Sequence, residues 1–346
     1  MQTSSILIKR LMMNSILFRT DGNRKLGLGH IVRCTALADV LRSNNPSLEV
    51  VFITKYDEGK KIIERKNYKI IQSTGEGISE IRNLADENTL LITDFLDTDN
   101  SYISKIKKIK ELKVISIDNN TKLKRIDADI LINANVFDEG ETKVIGSTRY
   151  FLGPKYMILR KEFEEAHEED RKIKDEVKTI LVMFGGTDPR DFTLKVANAL
   201  KNIRDEVHIN LIIGPAVSYG DKLNRLSKTK KFNTLFNPEN LVEIMKNADI
   251  AITAAGITLY ELATLGIPSI VIPQTKHQED IAKAFEKSGT CVNIGKSPDN
   301  KLIYESTIML MNSKLLRKQL SEKAKILVDG KGLKRIVKLI ESESVK

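Results

Sequence analysis

The chain has 346 residues, 41% of them hydrophobic and 29% charged, with a formal net charge of +10. That length exceeds the size at which a single core usually stops growing, so two domains are expected, and the composition excludes wholesale disorder. No apolar run approaches the roughly 20 residues that a membrane helix needs, and two cysteines, Cys34 and Cys291, are too few for a disulfide framework. The positive balance admits a nucleic acid, an anionic membrane surface or a polyanionic substrate as partner. With aromatics at 5% and no Trp, stacking platforms for bases are scarce, and the basic residues alternate with Glu along helical faces. No nucleic acid and no firm membrane association are therefore expected.

In chain order, the stretch 4–18 is broken by Lys9 and Arg10 and lacks a small-residue cleavage site. It does not read as a signal peptide, and a cytoplasmic protein is expected. Residues 1–13 read as an N-terminal extension. From there short β-branched runs alternate with longer helical segments, the pattern of parallel α/β architecture. The first half offers strands at 15–19, 50–54, 69–71, 90–93, 114–117 and 130–133, several apolar at nearly every position, as strands buried on both faces should be. Helices at 31–42 and 101–110 carry apolar residues at three- and four-residue spacing. The segment 160–176, dominated by Glu, Lys and Arg, reads as a solvated linker helix. The alternation then restarts with strands at 179–183, 209–213, 234–236, 250–253, 269–272 and 291–294, and with helices at 191–201, 301–327 and 332–341. The expected organisation is a first domain over 14–158, a linker over 159–176 and a second domain over 177–346, with a cleft between them.

Three strand-to-helix turns are candidates for chemistry. The first is Arg19-Thr20-Asp21 followed by Leu26-Gly27-Leu28-Gly29-His30. Its glycines permit a tight turn into a helix whose free N–H groups suit a phosphate or developing negative charge. It lacks the Gly-Lys-Ser/Thr ending of a phosphate loop, and Val32 stands where a dinucleotide fingerprint needs its third glycine. His30 is either a base held by the helix dipole or a packing residue. The second turn, Met183-Phe184-Gly185-Gly186-Thr187-Asp188, lets backbone approach an anion, or is a plain turn capped by Asp188 with Pro189 opening the helix. The third and most informative runs from Ala254 through Gly256, Ile257 and Thr258 to Glu261, then through Gly266-Ile267-Pro268 to His277-Gln278. Its helix opens without charged side chains, leaving N–H groups for a diphosphate, and Glu261 one turn inside can accept two hydrogen bonds from a ribose diol. As alternatives, Glu261 is an exposed helix charge and His277 a surface loop residue.

The triplet Asp97-Thr98-Asp99 matches an Asp-x-Asp metal pattern, but Asp94 and Asp129 show how common Asp is after strands here, so a metal there is not expected. Cys34 reads as packing.

Taken together, these turns resemble those of GT-B-fold nucleotide-sugar enzymes over nearly the whole chain. The pattern is most similar to the UDP-2,4-diacetamido-2,4,6-trideoxy-β-L-altropyranose hydrolases of pseudaminic acid biosynthesis. Phe18-Arg19-Thr20-Asp21, Ile117-Asp118, Ile130-Leu131-Ile132-Asn133, Leu159-Arg160-Lys161-Glu162-Phe163 and Asp329-Gly330-Lys331-Gly332 belong to the same resemblance. The lipid II N-acetylglucosaminyl transferases share the Gly-rich turns. The implied fold is α/β and GT-B-like, with two doubly wound Rossmann-like domains facing across a cleft.

The implied activity is UDP-sugar cleavage by water at the anomeric carbon with inversion, releasing UDP and a free 2,4-diacetamido-trideoxy-hexose. His30 falls on the water-activating histidine, with Asp21 and Arg19 orienting it or the sugar. Gly27 and Gly29 belong to the same loop. Gly185, Gly186 and Thr187 match the facing phosphate loop, and Gly256, Ile257 and Thr258 the diphosphate helix start. Glu261 matches the ribose position, Asn240 and Leu241 the uracil edge, and Gln278 the glycosyl side. No metal and no cofactor is implied, because preorganised N–H donors suffice for the leaving group. The partners are a UDP-sugar and water, and a monomer is expected. At 94–99 the chain departs from the hydrolases, which carry an aromatic-containing segment there, so the sugar pocket differs. A GT-B glycosyltransferase using a UDP-amino sugar donor is the alternative, and a silent UDP-sugar binder the third possibility.

Overall fold

The computed structural model describes residues 14–95, 98–109, 112–118, 120–135, 137, 140–215, 217, 219 and 231–343. The expected extension 1–13 lies outside these. The first domain runs β1 (Ser15–Thr20), α1 (Gly29–Asn44), β2 (Glu49–Thr54), α2 (Asp57–Glu64), β3 (Lys69–Gln72), α3 (Ile78–Leu84), β4 (Thr89–Asp94), α4 (Asn100–Lys107), β5 (Lys113–Ile117), β6 (Ile130–Asn133), β7 (Thr142–Ile145) and β8 (Thr148–Leu152). Its sheet order is β3-β2-β1-β4-β5-β6-β8-β7, parallel except for β7. β4 is buried at all six positions, as a central strand covered on both faces must be.

After α5 (Lys161–His167) the second domain runs β9 (Thr179–Met183), α6 (Phe192–Ala199), β10 (His208–Ile213), β11 (Phe232–Phe236), α7 (Leu241–Lys246), β12 (Ile250–Thr253), α8 (Ile257–Thr264), β13 (Ser269–Val271), α9 (Lys276–Lys287), β14 (Val292–Asn293), α10 (Asn300–Asn312), α11 (Lys314–Leu327) and α12 (Gly332–Glu343). Its six strands are all parallel, in the order β11-β10-β9-β12-β13-β14. Each sheet reverses its winding beside its first strand, and ligands of open parallel sheets bind outside the carboxyl ends of the strands at such a point.

Four features differ from the sequence expectation. The β7–β8 hairpin was not expected. It turns through Gly146, at φ 63°, and Ser147, so a Gly-Ser pair between β-branched runs was the available signal. The linker is helical only over Lys161–His167, and it is not a solvated helix: Phe163 and Ala166 are buried in the second domain's core. Beyond it the backbone is pinned by guanidinium groups. Arg171 donates to the carbonyls of Lys246 and Ala248, and Arg317 donates to those of Lys174 and Asp175. The expected helix over 301–327 is two, broken where Ser313 caps the second by accepting from the Leu316 N–H at 3.2 Å.

Finally, α12 does not pack with the domain that precedes it. Leu333, Ile336, Val337 and Ile340 join the first domain's core with Phe18, Leu37 and Phe52. Lys113 and Arg149 hold Glu343 at 2.8 and 2.6 Å. The chain crosses between domains twice, and the crossings touch at Gly332, where a Cβ would overlap the backbone of Met157.

Candidate functional site

A cleft of about 1390 Å3 is lined by both domains. On the first-domain side, Gly27 sits at φ 86°, a conformation that only glycine takes without strain, and the turn delivers His30 into the first turn of α1. A Cβ on Gly29 would meet Ile257 Cδ1 at 2.7 Å, so the start of α1 lies against the start of α8 of the other domain. Leu28 lies beside Gly186 in the same way, with its Cδ1 3.7 Å from where a Gly186 Cβ would stand. The three Gly-rich turns therefore converge.

His30 is buried, and its Nδ1 lies 2.6 Å from Asp94 Oδ1, at the end of β4. Arg33, one turn further along α1, grips both oxygens of that carboxylate through Nε and Nη2, each at 2.5 Å. Burial by itself would push the Asp94 carboxyl up, but Arg33 first and His30 second outweigh it and hold the group far below the usual carboxylate range. An ionised Asp94 can only accept, so His30 Nδ1 carries a proton, and in the neutral imidazole the lone pair is on Nε2. Arg33 Nη2 also lies 3.1 Å from Nδ1; both donors point at Asp94, since a protonated nitrogen cannot accept. Cys34 donates to Asp94 Oδ2 at 3.3 Å, and burial and the neighbouring carboxylate push its thiol up, which keeps it protonated.

The carboxylate beside His30 is thus Asp94, not the expected Asp21. Asp21 pairs with Arg19 at 2.8 Å and accepts the Lys55 N–H at 2.8 Å, tying the ends of β1 and β2 together. Arg19 donates Nε to the Glu76 carbonyl at 2.9 Å and lies over the Phe95 ring. Neither Arg19 nor Asp21 lines the cleft. Thr98 donates to the Phe95 carbonyl, and Asp99 caps α4 by accepting the Tyr102 N–H at 2.8 Å; Asp97 lies outside the described residues.

On the second-domain side Gly185, Gly186 and Thr187 line the cleft, with Gly185 at φ 77°. Their position requires Gly214 at the end of β10, where a Cβ would overlap the Gly185–Gly186 backbone. Asp188 accepts the N–H groups of Phe192 and Thr193 at 3.0 and 2.8 Å, and the Tyr219 hydroxyl donates to it. It therefore caps α6, although that helix begins at Phe192 rather than at Pro189. Gly256, Ile257 and Thr258 line the cleft at the start of α8, and no acidic side chain stands in its first turn. Gln278 accepts the Gln274 N–H at 2.8 Å, which sets its amide nitrogen beside Gly256. Leu241 lines the cleft but Asn240, exposed just before α7, does not.

Glu261 is buried, not an exposed helix charge. Burial pushes its carboxyl up to about 7; Arg160, 4.0 Å away, offsets this and Glu162 adds to it. His277 also lines the cleft: its Nε2 is buried and unpartnered, and burial pushes its imidazole below the usual value. Asp94, Arg33, Gly214 and His277 are the site residues that motif reading missed or set aside.

Among the described residues no group of three or more His, Cys, Asp or Glu could hold a metal ion, and no helix is long and apolar enough to cross a membrane.

Residues 179–340 match the Glycosyltransferase family 28 C-terminal domain. An uncharacterized protein of Methanocaldococcus jannaschii, MJ1062, is 35% identical over 274 residues, 75% of this chain; the chain spans 56% of that protein's length. The spore coat polysaccharide biosynthesis protein SpsG of Bacillus subtilis is 29% identical, over 93% of this chain and 96% of its own. The UDP-2,4-diacetamido-2,4,6-trideoxy-beta-L-altropyranose hydrolase of Campylobacter jejuni is 28% identical, over 79% and 97%. The crystal structure of Acinetobacter baumannii MurG superposes with a TM-score of 0.67 at 15% identity, covering 95% of this chain and 99% of that one. The chain has the GT-B fold, two parallel-sheet α/β domains across a cleft.

Proposed function

We propose that the protein is an enzyme acting on a UDP-sugar, and that it hydrolyses the glycosyl bond to release UDP and a free 2,4-diacetamido-trideoxy-hexose. The observation that carries this reading is His30: buried in the first turn of α1, its Nδ1 fixed by Asp94 at 2.6 Å, in the cleft lined by Gly185–Gly186, by the start of α8 and by Glu261. The hydrolase of Campylobacter jejuni, similar over 79% of this chain, supports the same chemistry.

In this mechanism Glu261 accepts hydrogen bonds from both ribose hydroxyls, and the N–H groups at Gly256–Thr258 and Gly185–Thr187 receive the diphosphate. Leu241 lies at the uracil edge, and Gln278 and His277 face the glycosyl group. A water held at His30 Nε2 attacks the anomeric carbon from the side opposite the diphosphate. The new C–O bond forms as the bond to the β-phosphate oxygen breaks, the water's proton passes to Nε2, and UDP departs with the electron pair, inverting the carbon. The imidazolium so formed is stabilised by the ionised Asp94. Such a base contributes about 10² to 10⁴ in rate, and aligned N–H donors stabilise the charge growing on the leaving group.

Transfer to an acceptor is the second reading. The observation favouring it is the extent of the cleft beyond His30, along α1 to Ser43 and Asn44 and beside Ile62 of α2 and Arg65 just after it, far more room than one water needs. One experiment separates the two: UDP release from a panel of UDP-amino sugars, by protein alone, with and without EDTA, and with His30→Ala alongside. Hydrolysis requires UDP and free sugar in equal amounts without acceptor, insensitive to EDTA and lost in the variant. Release only after an acceptor is added moves the assignment to transfer.

A further inference from the structure

A run of buried polar groups joins the nucleotide side of the cleft to His30 through the domain interface. The loop after β6 leaves the first domain and packs into the second: Ala134 is buried beside Leu259 and Tyr260, and Phe137 meets Phe285 edge-on at 5.7 Å. Between them Asn135, buried, accepts the Tyr260 hydroxyl on Oδ1 at 2.6 Å. Tyr260 immediately precedes Glu261 on α8, is 1% exposed, and is set edge-on to Phe285 at 4.9 Å, so its ring cannot swing without moving the helix or that partner.

From Asn135 the contacts run back into the first domain. Its N–H donates to Asn133 Oδ1 at 2.8 Å, and Asn133 Nδ2 donates to Asp118 Oδ2 at 3.1 Å and to the Asn120 carbonyl at 2.8 Å. Asp118 and Arg33 line one small internal cavity. Arg33 grips Asp94, and Asp94 holds His30. Every residue from Tyr260 to His30 in this run is buried. A buried polar group that loses its partner keeps its full desolvation cost, so such groups move together rather than independently. Docking two domains through apolar contact alone would require no hydroxyl at this position; a phenol here fixes which way Asn135 points.

We infer that Tyr260 is a positioning residue, whose hydroxyl bond to Asn135 ties α8 to the Asp118–Arg33–Asp94 run, so that His30 is aligned when the nucleotide half of the cleft is filled. The inference rests on the proposed role of His30 as base. Its physical warrant is the run of buried polar contacts, continued between Asp118 and Arg33 by their opposite charges beside one small cavity; whether the two ends respond together is what the experiment measures.

The test compares wild type with Tyr260→Phe, which keeps the ring and deletes only the donor. UDP affinity is measured by calorimetry, kcat and KM by UDP release, and the His30 imidazole signals by NMR with and without saturating UDP. With four histidines in the chain, His30→Ala identifies the signal. The expected result is a UDP Kd within about twofold of wild type, an unchanged KM, a kcat lower by about tenfold, and a His30 response to UDP that is present in wild type and lost in the variant. Should Tyr260→Phe fail to fold, Asn135→Ala breaks the same link from the other side with the same expectation.

A variant that melts earlier but keeps its kcat and its His30 response makes Tyr260 a packing residue and overturns the inference. So does a wild-type His30 signal that UDP leaves unmoved. A wild type that releases no UDP from any donor refutes the hydrolase reading alone, because the His30 response to UDP is read without turnover.

Discussion

Two buried carboxylates, one in each domain, are shifted in opposite directions from the usual carboxylate range. Asp94, fully buried, is held ionised because Arg33 meets both of its oxygens at 2.5 Å and His30 adds a third contact. Glu261, nearly as buried, has its nearest cation, Arg160, at 4.0 Å, and burial wins, raising its carboxyl to about 7. Burial alone does not set the charge; a bidentate partner at hydrogen-bond distance does. The difference suits the proposed division of labour. Asp94 must be an anion at all times to fix the His30 tautomer, whereas Glu261 awaits its donors from the ribose.

The strongest way to break this comparison is Asp94→Asn. It takes from buried Arg33 the carboxylate that meets it at 2.5 Å and removes the acceptor that fixes His30, so we expect about 3–5 kcal/mol of lost stability by denaturant unfolding. UDP release should fall by at least about 10²-fold. A variant as stable and as active as wild type would show that the Arg33–Asp94 grip is incidental. Next in size, Gly214→Ala must push the Gly185–Gly186 loop away from β10. The expected cost is about 1–3 kcal/mol in stability, with weaker UDP binding and an unchanged pH profile.

The third prediction concerns proton linkage at Glu261. Its folded value, about 7, lies above the ordinary 4.5, so the folded state binds the extra proton. This contribution to stability is fully present below about 4.5 and is lost as pH rises through 7. Ribose donors favour the charged form, so UDP binding should release a proton below pH 7 and tighten as pH rises from 6 to 8. Calorimetry in buffers of different ionisation enthalpy measures that release, and Glu261→Gln should abolish it; a release unchanged in the variant assigns the proton elsewhere. The smallest expected effect is at Asp21. Asp21→Asn weakens the tie to Arg19 and Lys55, lowering stability by about 1 kcal/mol, while kcat stays within about threefold of wild type. A collapse of kcat would return Asp21 to the catalytic role that its sequence position suggested.

Much of the architecture was legible in the chain because the signals are local. Apolar runs such as Leu90–Leu91–Ile92 declare strands buried on both faces, and glycines at 27, 185 and 256 mark turns that lead into helices. The β7–β8 hairpin was missed despite a Gly-Ser signal, and Lys and Glu disguised α5, where Phe163 and Ala166 decide the packing.

The choice between Asp21 and Asp94 shows where local signals end. Both follow apolar runs at the carboxyl ends of adjacent parallel strands, and Thr20 pairs with Asp94 in the β1–β4 register. Composition and spacing treat them alike. Only the assembled sheet shows that one side chain meets Arg33 and His30 while the other turns to Arg19 and Lys55.

Local patterns in the chain mark the alternation of strands and helices, the places where backbone can approach an anion, and the histidine beside one of them. All depend on residues within a turn or two of each other. The tertiary structure alone decided the charge partner of that histidine, the need for Gly214, the return of α12 to the first domain, and the Tyr260–Asn135 link. Each is a contact between residues 28 or more positions apart, and the distance and burial that make it matter exist only once the two sheets are packed.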